Sequence, residues 1–124
     1  MTAPTTPSES QAAPVYGLHI TRASKPDEAV IRVEGELEMA TASRMRDELQ
    51  RAMATSQQRI VVDLRALDFL DSTGMHALVE AHKKCESSNR SLTLLLDTGP
   101  VHRSLDVCGL LDVLNHVSPV AAAA

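Results

Sequence analysis

The stretch from residue 59 to residue 96 constrains the fold more than any other part of the chain. Arg59-Ile60-Val61-Val62-Asp63-Leu64 is an apolar, β-branched run bounded by polar residues, too continuous for a strand with one wet face, and it reads as a buried central strand. Ser91-Leu92-Thr93-Leu94-Leu95-Leu96 is a second such run. Between them the spacing changes to the helical period: Met75, Leu78, Val79, His82 and Cys85 form one stripe. Lys83 and Lys84 lie near the end of that helix, where cations are favoured, and Asn89 is placed to end it in the left-handed region. Strand, helix, strand in this order predicts a right-handed βαβ crossover between parallel strands.

The flanking segments complete an α/β domain. Residues 1–14, MTAPTTPSESQAAP, carry three prolines and no apolar period, so a disordered tail is expected there. Leu18 and Ile20, then Val30 to Val33, are strand-like runs separated by Ser24-Lys25-Pro26-Asp27, which predicts a β-hairpin. Gly35 marks an expected change of direction at the end of the second strand. From Thr41, a candidate cap, Ala42, Met45, Leu49, Ala52 and Met53 make a helical stripe. Pro100, Val101, Leu105 and Cys108, followed by Gly109, read as a short third helix with proline in its first turn and glycine past its end. Leu110 to Val117 fits either a last strand or a helical turn. The expected domain spans residues 15–118, with 119–124 as a short tail. Its fold is a mixed β-sheet opened by a hairpin, with parallel central strands covered by helices. Tyr16 and Phe69 are the only aromatics, so the core must be filled with aliphatic side chains.

Composition narrows the function. A formal net charge of −4 gives no electrostatic footprint for nucleic acid. No run approaches the roughly 18 apolar residues that would cross a bilayer, and no basic-then-apolar leader opens the chain, so the expected location is cytoplasmic and away from membranes. Cys85 and Cys108 lack metal-ligand spacing and both fall on apolar helix stripes, so both are expected to be buried free thiols. None of the five histidines makes a recognised metal pair; His76 and His82, six apart, are not i, i+4 ligands.

The junction Leu70-Asp71-Ser72-Thr73-Gly74-Met75 stands where a strand gives way to a helix, at the carboxyl end of a parallel strand, where sites in such sheets lie. A hydroxyl there meets free backbone N–H groups and the positive end of the helix dipole, which suits a phosphate. The plainer use of Asp71 or Ser72 is as an N-cap, and both roles can coexist. Ser72 as a nucleophile would need a base and an oxyanion hole, and no G-x-S-x-G elbow surrounds it. A phosphate-binding loop would need several glycines, and Gly74 stands alone. An enzyme is therefore not expected. A serine that receives a phosphate from another protein remains. The modification would add about −1.5 to −2 charges at pH 7 and oppose docking of a partner.

These residues resemble the STAS-domain anti-sigma factor antagonists, or anti-anti-sigma factors. The landmarks are Gly35-Glu36-Leu37-Glu38, Val61-Val62-Asp63-Leu64, Leu67-Asp68-Phe69-Leu70-Asp71-Ser72-Thr73-Gly74 and Leu105-Asp106-Val107-Cys108-Gly109-Leu110. The similarity extends over residues 15 to 118, with the D-S-S/T-G element its strongest piece. The resemblance implies a STAS-like fold and a partner-switching module that, unphosphorylated, binds an anti-sigma factor and frees a sigma factor. It implies that the anti-sigma factor is also an ATP-dependent serine kinase acting on Ser72, with Thr73 the second acceptor, and that a PP2C-type phosphatase reverses the mark. The ATP then belongs to the kinase, and no cofactor belongs to this chain. Glu38, Asp71, Thr73, Gly74, Met75 and His76 are the expected partner-binding residues, with Asp71 positioning the acceptor and Gly74 leaving room for a close backbone approach. Glu38 departs from the family's usual aspartate by one methylene. The alternative is a STAS-type scaffold or ligand-binding domain without a phosphorylation switch, in which Ser72→Ala would cost about 1 kcal/mol as a lost cap.

Overall fold

The computed structural model describes residues 17–118; the two expected tails and Tyr16 lie outside them. Strands β1 (Leu18–Ser24) and β2 (Glu28–Leu37) form the expected antiparallel hairpin. Its turn is closed by Lys25 N–H donating to Glu28 O at 2.7 Å. Helix α1 (Ala42–Met53) leads to β3 (Arg59–Leu70), helix α2 (Ser72–Ser87) and β4 (Ser91–Leu95). Helix α3 (Pro100–Val107), a 3-10 turn (Leu110–Asp112) and β5 (Asn115–Val117) close the domain. The last segment thus supplies both a helical turn and a strand. The sheet order is β1-β2-β3-β4-β5, antiparallel at the first pair and parallel at the other three.

One aliphatic core lies between the sheet and its helices. Ile31, Val33 and Leu37 from β2, Ile60, Val62 and Leu64 from β3, and Leu92 and Leu94 from β4 meet Met45 and Leu49 of α1, Leu78 and Cys85 of α2, and Leu105 of α3. Asn89 takes φ +61 just past α2, and Arg90 N–H returns to Cys85 O at 2.8 Å, so this helix ends as its sequence predicts.

Four local expectations are corrected. Gly35 does not end β2: the strand continues to Leu37, with Gly35 at φ +99, a conformation open chiefly to glycine. β3 is twice as long as its apolar run. Two register shifts against β2 each place one additional residue on β3, the first between the pairs Arg32–Asp63 and Glu34–Ala66, the second between Gly35–Leu67 and Glu36–Phe69. These bulges let polar Arg65 and Asp68 turn outward without breaking the strand. Nor is β3 apolar on both faces. Opposite the core, Val61 is half-buried, and Asp63 is buried under the guanidinium of Arg65, at 2.9 Å, with Arg32 at 3.4 Å. Finally, Cys85 is buried but Cys108 is exposed, because α3 stops at Val107 and the stripe that would have carried Cys108 inward stops with it.

Candidate functional site

β2 and β3 end side by side, with Leu37 opposite Leu70, and Asp71 N–H donates to Leu37 O at 3.1 Å as the last rung. The chain then turns abruptly. Asp71 remains extended, with φ −102 and ψ −177, and serves as the N-cap of α2. Its Oδ1 accepts from Gly74 N–H at 2.9 Å, and Met75 N–H bonds Asp71 O at 2.9 Å to open the helical ladder. Asp71 therefore takes the capping role that the sequence left open between two adjacent residues. Ser72 is the first helical residue. It is exposed, and among the described residues its hydroxyl makes no hydrogen bond.

The second carboxylate oxygen of Asp71 reaches across to the exit of β2, where Met39 N–H donates to Oδ2 at 3.1 Å. Asp71 thus fixes the β2 exit and the α2 start to each other. That exit is tied further by Thr41, which stands at the N-cap position of α1 without capping it. Thr41 Oγ1 instead donates to Glu36 O at 2.8 Å and accepts from Glu38 N–H at 3.0 Å. Glu38, half-buried, accepts from Ala40 N–H through Oε1 at 2.9 Å. Its longer side chain is thereby turned back onto its own loop.

Gly74 and Met75, both expected to face a partner, are buried. A Cβ on Gly74 would stand 2.7 Å from Leu37 Cγ, 2.8 Å from Leu37 O and 2.8 Å from Leu70 Cδ1. The close approach is therefore internal, between α2 and the paired ends of β2 and β3. Thr73 is half-buried, so Ser72 is the more accessible hydroxyl. His76 is exposed one turn beyond Ser72, with Nδ1 3.7 Å from Glu80 Oε1. Glu80 in turn accepts from Arg46 Nε of α1 at 3.2 Å. That bond, followed by the nearby charges of His76, Arg46 and Lys84, holds the Glu80 carboxyl below its ordinary range.

Two residues not named as site candidates from the sequence lie next to the strand ends: Met39, two residues past the end of β2, is 76% exposed, and Phe69, one residue before the end of β3, is 50% exposed. Phe69 carried a signal, as an isolated aromatic next to Asp68 and two residues before Asp71. Met39 carried one only as an apolar residue in a loop of Glu and Ala. Among the described residues no group of three or more His, Cys, Asp or Glu could hold a metal ion, and no helix is long and apolar enough to cross a membrane.

An exposed serine on a capped helix start, beside the ends of two parallel strands in a hairpin-opened mixed sheet, is an arrangement with known relatives. Residues 19–124 match the family model of the STAS domain, and the chain belongs to that family, as its motifs imply. By sequence it is 29% identical over 86 residues to an anti-sigma F factor antagonist of Paenibacillus polymyxa, covering 68% of this chain and 74% of that protein. By structure it is similar to an anti-sigma factor antagonist from Mycobacterium paratuberculosis, with TM-score 0.76, 22% identity, and 83% and 86% of the two chains covered. It also resembles the anti-sigma factor antagonist SpoIIAA in its unphosphorylated form, with TM-score 0.68, 20% identity, and 85% and 93% covered.

Proposed function

We propose that this chain is an anti-sigma factor antagonist that works in the cytoplasm and docks through the face around Ser72. Unphosphorylated, it binds an anti-sigma factor that is also a serine kinase, and so releases a sigma factor. Transfer of phosphate to Ser72 ends the binding, and a PP2C-type phosphatase restores it. The chain performs no chemistry of its own in this scheme.

The observation that carries the reading is the division of labour between neighbours. Asp71 supplies the cap and the cross-link to Met39, which leaves the exposed Ser72 hydroxyl free of structural duty. A phosphate there replaces no internal hydrogen bond, and the helix start offers it N–H groups and a favourable dipole. Exposed Met39 beside the junction supplies apolar contact area of the kind found at the centres of interfaces. A partner seated over Met39, whose N–H is bonded to the residue before Ser72, would have to bury the new charge. If the loss matches a mispaired interfacial charge, about 2–5 kcal/mol, affinity falls roughly 30-fold to a few thousand-fold.

The test uses the purified chain with its anti-sigma kinase and ATP. One phosphate is expected, mapped to Ser72; Ser72→Ala takes none and still binds. Undiminished binding of the phosphorylated chain overturns the switch, and a phosphate mapped to Thr73 overturns the choice of residue.

A further inference from the structure

We propose that His76 is the intramolecular partner of a phosphoryl group on Ser72, a positioning residue that holds the phosphate along the exposed face of α2. The inference rests on Ser72 being the modified residue. Ser72 and His76 are both exposed and lie four residues apart on the same helix. At that spacing the Cβ atoms are about 5–6 Å from each other. Helical side chains lean toward the N-terminus, which aims the His76 ring toward residue 72.

His76 is also only loosely engaged, within ion-pair range of one carboxylate. Its one charged neighbour is Glu80, at 3.7 Å, too far for a hydrogen bond. Neither ring nitrogen makes a hydrogen bond among the described residues. Glu80 is already engaged by Arg46 of α1 at 3.2 Å and stands near the charge of Lys84. Of the other acids near the junction, Asp71 accepts from Gly74 and Met39, and Glu38 accepts from Ala40. No cation other than His76 stands one turn from Ser72 on this face of α2. A phosphate on Ser72 therefore gains an imidazolium partner at i+4, in addition to the helix N-terminus, and the dianionic form gains most.

The experiment installs phosphoserine at position 72 during translation, so that no kinase is needed, and follows its second ionisation by phosphorus NMR. The midpoint is expected to lie lower in the otherwise unaltered chain than in His76→Gln by about 0.3 pH unit, the size of an exposed i, i+4 ion pair. His76→Lys should restore the lowering. Lys83→Gln, which removes a cation more distant from Ser72, should leave the midpoint where it is. Equal midpoints in the unaltered chain and His76→Gln overturn the pairing, as does a failure of His76→Lys to restore it. Either result leaves the kinase reaction at Ser72 standing. Conversely, a kinase that ignores Ser72 would remove the switch without altering these midpoints.

Discussion

Gly74→Ala separates the packing argument from ordinary helix propensity, because the two predict opposite signs. In a solvated helix, alanine is better than glycine by up to about 1 kcal/mol. Here the added methyl would stand 2.8 Å from Leu37 O and Leu70 Cδ1 and 2.7 Å from Leu37 Cγ, where ordinary contact begins at 3.4 Å. The leucine tips can rotate, but Leu37 O belongs to the strand backbone and accepts from Asp71 N–H, so the helix start must move by about 0.6 Å. Overpacking of this kind costs about 1–3 kcal/mol. The same movement stretches the bond from Gly74 N–H to Asp71 Oδ1, putting at risk up to about 1 kcal/mol of capping. The capping loss and the propensity gain are of similar size and offset, which leaves a net loss of about 1–3 kcal/mol. For a domain of this size that lowers the melting temperature by about 5–15 °C, readable by far-UV circular dichroism in thermal and urea unfolding. A variant as stable as the parent, or more stable, would show that α2 does not seat on the strand ends as described.

The same geometry orders several other outcomes. Asp71→Ala should cost about 1–2 kcal/mol in urea unfolding, with Asp71→Asn in between because one amide oxygen cannot replace both acceptors; the reverse order would refute the double role of this carboxylate. Ser72→Ala should change stability by no more than about 0.5 kcal/mol, since Asp71 and not Ser72 is the cap, and a loss of a full kcal/mol in the same assay would contradict that assignment. Hydrogen bonding to Arg65, with the further charge of Arg32, holds the Asp63 carboxyl below the ordinary value of 3.8. Its stabilisation is thus complete above that pH and lost as pH falls through the lower folded value; Asp63→Asn should be less stable at neutral pH, with the two stability curves converging in acid. Ellman's reagent should titrate one thiol in the native protein, exposed Cys108, and the second only on unfolding, because burial pushes the Cys85 thiol up and shields it.

Periodicity made the elements legible, and its local failures mark what had to be seen. The stripe of Met75, Leu78, His82 and Cys85 does face the core, and the parallel order of β3 and β4 follows from the crossover between them. The apolar run of β3 stops at Leu64 because two bulges each shift the side-chain phase by one residue, so polar Arg65 and Asp68 interrupt the pattern while pairing with β2 runs on to Leu70. Cys108 looked buried because a stripe has no means of announcing where its helix stops. Asp71 and Ser72 could not be ranked as caps because both residue types are favoured at that position. The choice depended on Met39, thirty-two residues earlier, whose N–H engages the other carboxylate oxygen. Contacts of that range leave no mark on local spacing.

That long-range contact also explains how a charge at Ser72 could act on docking rather than on folding. The β2 exit is held by Thr41 and by Asp71, and the α2 start is held by the Asp71 cap and by the close seating of Gly74 on Leu37 and Leu70. Every one of these bonds belongs to a residue other than Ser72. A phosphate on Ser72 therefore breaks none of them. A mobile helix start could turn an added charge away from a partner and so soften its effect, whereas a helix start pinned at both its cap and its third residue cannot. In the switching scheme, the free energy of the added charge then falls on the interface, where desolvation makes it large, and the rigidity of the junction is what makes so small a modification decisive.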